Sequence, residues 1–158
     1  MSAGRYLFVQ YCDDIRQEVG NKLSLIGCYG SELLVEKLPA VLPKLCVQAH
    51  LSTPLDQPLE RVTLRAYING DVLAELELPV AELNARPRPV DTAATRMNVG
   101  AIISLTPFIF DKEGVVRIEA ETESGIVKGG RLRLMLNETH KAEQATLIGD
   151  HREILAAK

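Results

Sequence analysis

Two carboxylates stand side by side at Asp13 and Asp14, with Arg16 and Glu18 close behind. Several carboxylate oxygens gathered at one point suit a hard divalent cation or a metal-assisted hydrolysis. The D-x-D-x-D-G spacing of a calcium loop is missing, however, and adjacent strand residues face opposite ways. The expectation is therefore structural: Asp13 caps a turn and Asp14 meets Arg16 or another nearby base. A small metal-dependent hydrolase using Asp13, Asp14 and Glu18 is the alternative. Cys12 and His50, with Asp14 to orient the imidazole, have the types of a nucleophile and its base. No G-x-S-x-G elbow or glycine-rich oxyanion loop accompanies them, and a cysteine in an apolar strand is usually a small core residue.

Arg86, Arg88 and Arg96, around Pro87 and Pro89, form the densest positive patch. Proline stiffens the backbone, and guanidinium forks suit carboxylate or phosphate partners. No aromatic residue lies in that loop to stack on bases, which makes nucleic acid an improbable partner. His140 and His151 lie far from any cysteine pattern with zinc spacing. No phosphate-binding GxxxxGK[ST] or GxGxxG text is present. No catalytic residue, metal or cofactor is expected. The candidate interaction residues are Arg86, Arg88, Arg96, Asp13, Asp14 and Arg16.

The elements that must position these residues are strands. Leu45, Val47, Ala49 and Leu51 alternate with Cys46, Gln48, His50 and Ser52, and the same period recurs at Val62–Ile68, Val72–Leu78, Val99–Leu105, Val116–Glu121 and Leu132–Leu136. Tyr6–Cys12 and Leu23–Tyr29 are apolar at both parities and read as central strands covered on both faces. Leu33–Val35 reads as a short strand, and Phe108–Phe110 as an edge or continuation. The count is eight or nine strands. They predict an all-β fold: a two-sheet antiparallel β-sandwich, immunoglobulin-like in outline, over residues 1–136.

A two-residue Asn69-Gly70 turn would set Leu64 opposite Glu75, so a three-residue Ile68-Asn69-Gly70 loop is expected instead. The same loop type is expected at Glu123-Ser124-Gly125, pairing Thr122 with Ile126, with Gly129-Gly130 as a bulge that corrects the phase of Lys128. Arg117, Glu119 and Glu121 should face Arg131 and Arg133 on a solvated outer surface. Val80–Arg96 is a long Pro/Arg loop with at most a helical turn at Ala81–Asn84. Residues 137–158 form a C-terminal tail, partly helical, able to dock, pair with another copy or stay loose.

The 158 residues carry 18 basic and 21 acidic side chains, a net charge of −3, so no global field advertises nucleic acid or an anionic membrane. The 46% apolar and 25% charged composition is that of a globular domain, which excludes disorder and coiled coil. The three cysteines leave one unpaired in any disulfide scheme, and no leader or spanning segment is visible, so a cytoplasmic setting is expected.

The stretch Tyr11-Cys12-Asp13-Asp14-Ile15-Arg16 through Gly20-Asn21-Lys22-Leu23-Ser24-Leu25-Ile26-Gly27-Cys28-Tyr29-Gly30, followed by Leu38-Pro39-Ala40-Val41-Leu42-Pro43-Lys44, resembles a family of small bacterial and prophage proteins of unknown function. That resemblance implies a β-sandwich of bacterial or phage origin and brings no activity, cofactor or catalytic residue. The expected function is a non-catalytic binding protein acting through protein–protein contacts, with a host factor or defence system as one version of the partner. A homo-oligomeric assembly subunit is the other non-catalytic alternative.

Overall fold

The structure, a computed structural model, describes residues 4–85 and 93–138. Eleven strands and one short helix follow in order: β1 (Tyr6–Glu18), β2 (Lys22–Cys28), β3 (Glu32–Val35), β4 (Ala40–Leu42), β5 (Leu45–Pro54), β6 (Val62–Ile68), β7 (Asp71–Leu78), α1 (Val80–Ala85), β8 (Arg96–Leu105), β9 (Phe108–Phe110), β10 (Gly114–Thr122) and β11 (Gly125–Leu136). A four-stranded sheet runs β2-β1-β5-β8 and a five-stranded sheet runs β3-β11-β10-β6-β7. A ribbon of β4 and β9 stands apart, an element the sequence showed only as Phe108–Phe110. Pairing is antiparallel except between β3 and β11.

The alternation decides which face is dry. Leu45, Val47, Ala49 and Leu51 of β5 are buried against Leu64, Val116, Ile118, Leu132 and Leu134 of the other sheet, in one core. Burial of such side chains contributes about 1.5–3 kcal/mol each. The sheets approach closely at Gly129, where a β-carbon would lie 2.4 Å from Val9 Cγ2 and 3.1 Å from the Ile118 carbonyl. Beside it, the buried Tyr11 hydroxyl donates to the Gly130 carbonyl at 2.8 Å, a polar tie between the sheets. Burial pushes that phenol's pKa up, which keeps it protonated as a donor.

Both hairpins differ from expectation in loop length. Ile68 pairs with Asp71, so Asn69 and Gly70, at φ 51° and 99°, form the two-residue turn that the sequence argument had excluded. An irregularity inside the hairpin restores the phase: Tyr67 pairs with Val72 but Ala66 with Ala74, leaving Leu73 as the extra residue. Leu64 then faces Leu76, as burial demands, and not Glu75. Asn69 fixes the turn to β10, accepting from the Val115 N–H at 3.0 Å and donating its own N–H to the Val115 carbonyl at 3.1 Å. At the other hairpin Thr122 pairs with Gly125 rather than Ile126. The expected bulge is present: Arg117 pairs with Arg131 and Glu119 with Lys128, so Gly129-Gly130 together oppose Ile118.

The two doubly apolar stretches also need correction. β1 is central, yet Tyr6 and Phe8 are 52% and 54% exposed. β2 is a sheet edge with Leu23 and Ile26 partly open. Apolar character at both parities therefore marked an apolar surface as well as a covered strand.

Candidate functional site

The β1–β2 hairpin is longer than the sheet it belongs to. β1 pairs with β5 only from Tyr6 to Cys12, and beyond that point the hairpin continues as a free arm to its tip at Gly20. Gly27, at φ 64°, interrupts the ladder opposite Asp13 while the register on either side is kept, Cys12 with Cys28 and Asp14 with Ile26. That positive φ is one that L side chains rarely adopt. The arm curls back over the outer face of the four-stranded sheet. Its tip residues Gln17, Glu18, Asn21, Lys22 and Leu23 line one cleft with Gln48 and His50 of β5 and Gly100, Ala101 and Ile102 of β8.

The cleft measures about 650 Å³. Its floor is low because Gly100 carries no side chain: a β-carbon there would lie 3.2 Å from His50 Cε1, so the imidazole rests against bare backbone. Gln17, Asn21 and Gln48 bring amides that both donate and accept, while Leu23 and Ile102 bring apolar surface. Tyr6 and Phe8 extend the apolar surface along β1, where Phe8 stands opposite His50.

The predicted site residues are placed as follows. Asp13 and Asp14 point to opposite sides of β1. Asp13 accepts a hydrogen bond from the Tyr29 hydroxyl, and burial followed by that carboxylate raises the Tyr29 pKa. Asp14 lies on the outer side, 2.8 Å from Lys44 Nζ and 3.6 Å from Arg16 Nε. The Lys44 hydrogen bond, ahead of the other neighbours, holds its carboxyl below the usual carboxylate range and raises Lys44 in turn. Glu18 stands at the arm tip, four residues beyond Asp14. The three carboxylates therefore do not converge, and among the described residues no group of three or more His, Cys, Asp or Glu side chains could hold a metal ion. The hydrolase alternative loses its geometric basis.

The Cys12–His50 pairing fails for a similar reason. Cys12 stands opposite Cys46 and His50 opposite Phe8, four residues along the strand, about 13 Å apart at strand rise. Arg96 opens β8 and is engaged at the sandwich end, donating from Nε to Ser52 Oγ at 2.9 Å and from its terminal nitrogen to the Gly4 carbonyl at 2.9 Å, with its guanidinium over the Tyr6 ring. Arg86 and Arg88 lie outside the described residues, as does the tail from residue 139 onward.

On the outer face of the five-stranded sheet, acids and bases pair as a solvated surface should, but with different partners from those expected. Glu121 binds Arg65 of β6 and Arg61 just before it, not the β11 arginines, because Glu121 stands opposite Thr63 between them. Arg65 also binds Glu75 at 2.5 Å, and Arg133 binds Glu32 at 3.3 Å. The Arg65 hydrogen bond, foremost, keeps the Glu121 carboxyl low.

Sequence reasoning missed the cleft because its walls are brought together by curvature, which periodicity does not encode. Two signals were available: Gly27 interrupts an apolar strand and Gly100 an alternating one, and glycine in a strand marks a bend or a close approach. No helix among the described residues is long and apolar enough to cross a membrane.

No curated protein matches the chain. Among solved structures, the CARDB domain of a Pyrococcus furiosus protein, solved in complex with di-metal ions, is similar over 86% of this chain and 96% of that one, at 12% identity and a TM-score of 0.42. At that distance it says nothing of this chain's ligands. The family-level match is firmer: residues 7–134, which hold all of the four-stranded sheet but Tyr6 and most of the other sheet, match the model of a family of unknown function (DUF6941), and the chain belongs to that family.

Proposed function

We propose that the protein is a non-catalytic binding module that takes an extended segment of a partner polypeptide in the cleft beneath the β1–β2 arm. The observation that carries this reading is the cleft itself, about 650 Å³, roofed by the arm and floored by Gly100. Its amides at Gln17, Asn21 and Gln48 match the alternating donors and acceptors of a peptide backbone. Leu23 and Ile102 offer shallow apolar seats for alternate side chains. Among the described residues β8 is also the last strand of its sheet, and an edge strand beside the cleft can pair with a further strand. The resemblance of the opening stretch supports a bacterial or phage setting, and an odd number of cysteines supports a reducing, cytoplasmic one.

The test uses phage-displayed peptides selected on the full chain. Selected peptides should lose at least tenfold in affinity for Gly100→Phe, which fills the cleft floor, and keep their affinity for Arg131→Glu on the opposite sheet. Circular dichroism of each variant checks that the fold is intact. Peptides that bind Gly100→Phe unchanged, or a selection that yields no binder, would overturn the proposal.

A further inference from the structure

The three cysteines form one row across the four-stranded sheet. Cys12 of β1 stands opposite Cys28 of β2 on one side and Cys46 of β5 on the other. Cys46 in turn stands opposite Ser104 of β8, Sγ 3.6 Å from its Oγ. Directly opposed residues of antiparallel strands put their side chains on the same face. Access differs sharply along the row: Cys12 and Cys46 are buried, and Cys28 is exposed.

The ladder gives Cys12 two cysteine neighbours of different kinds. The Tyr29 N–H donates to the Tyr11 carbonyl at 2.9 Å, so Tyr11 and Tyr29 are a hydrogen-bonded pair. The next pair along, Cys12 with Cys28, is then a non-hydrogen-bonded one, with α-carbons about 4.5 Å apart and side chains drawn together. The N–H and C=O of Cys12 point instead toward β5, which makes Cys12–Cys46 the wider kind of pair, at about 5.5 Å. A disulfide accepts α-carbon separations from about 4.4 Å upward. Both separations lie within the disulfide range, whose upper limit is about 6.8 Å, so access decides: Cys28 is the exposed thiol, and Cys12 is the cysteine that stands opposite it.

We propose that Cys12 and Cys28 are a dithiol–disulfide pair that exchanges with a low-molecular-weight disulfide such as oxidised glutathione, with Cys28 as the entry thiol. The Cys28 thiolate attacks one sulfur of glutathione disulfide; that S–S bond breaks, and one glutathione leaves as thiolate and takes a proton. Cys12 then releases its proton to solvent and attacks the Cys28 sulfur, expelling the second glutathione. Two protein thiols lose two electrons, and one glutathione disulfide gains them as two thiols. Burial, then the neighbouring Cys46, Cys28, Asp13 and Asp14, push the Cys12 thiol up to about 11, which suits it to the resolving step rather than to entry. The bond staples the arm at its root and does not depend on what the cleft holds.

The experiment equilibrates the full chain in glutathione buffers of increasing oxidised fraction, quenches by alkylation and maps peptides by mass spectrometry. A mixed disulfide at Cys28 should appear first and give way to a Cys12–Cys28 cross-link. Cys46→Ser should keep the cross-link, and Cys28→Ser should leave Cys12 and Cys46 reduced. A dominant Cys12–Cys46 linkage, a mixed disulfide that never resolves, or three thiols still reduced at the oxidising end would each overturn the proposal.

Discussion

Arg5 joins both sheets at one end of the sandwich, and the acid partner it holds gives the molecule a measurable response to pH. Its side chain is 7% exposed and contacts Glu123. It donates to Thr53 Oγ1 at 3.1 Å, Thr122 Oγ1 at 3.0 Å, Ser124 Oγ at 2.6 Å and the Gln57 and Pro58 carbonyls at 3.2 Å. Burial pushes the Glu123 carboxyl up, but the backbone N–H groups of Glu60, Glu123 and Arg61 and the Arg5 guanidinium outweigh it and bring it down to about 2. A fall from 4.5 to about 2 corresponds to about 3 kcal/mol if fully expressed. Since 23% of the Glu123 side chain is open to water, screening leaves about half of that. The sign follows from the direction of the change. The native carboxylate binds its proton less readily than the unfolded one, so its contribution is complete above about pH 5 and is lost as pH falls from 4.5 toward 2. Glu123→Gln keeps the shape and removes the charge. Urea unfolding followed by circular dichroism should place it about 1.5 kcal/mol below the native sequence at pH 7, with the gap closing by pH 2.5. A gap that stays constant between those pH values, or no gap at pH 7, would refute the assignment of the clamp.

Two further outcomes follow from the geometry of β1. Tyr11→Phe removes the inter-sheet hydrogen bond to the Gly130 carbonyl and leaves that acceptor short of a partner, so urea unfolding should show a loss of about 1–2 kcal/mol with the m-value unchanged. Gly27→Ala meets two obstacles, a φ of +64° and an Asp13 Oδ2 atom 2.1 Å from the new β-carbon. Displacing Asp13 also breaks its bond with Tyr29. A stability loss of about 1–3 kcal/mol is expected, with amide exchange accelerated in residues 13–27 ahead of β5; uniform exchange would show that Gly27 does not act on the arm.

The apolar–polar period of β5, β6, β10 and β11 was sufficient to assign the sandwich and its dry faces, because a strand that buries one side must repeat every second residue. It also located the Gly129-Gly130 bulge, but for a reason tied to the wrong turn: with Thr122 opposite Gly125, Lys128 already faces outward beside Glu119, and the bulge instead brings Leu132 to the core face opposite Val116. Loop length escaped it: a two-residue turn with Leu73 as an extra residue satisfies the same burial constraint as a three-residue loop, and twist chooses between them. Tertiary structure alone decided that the β1–β2 arm returns over its own sheet, that Asp13 and Asp14 serve different neighbours, and that Cys28, Cys12 and Cys46 stand in one row. Period is a property of neighbours along the chain, whereas curvature and cross-strand register come from how distant segments pack, so residues far apart in sequence become a site only once the sheets have formed.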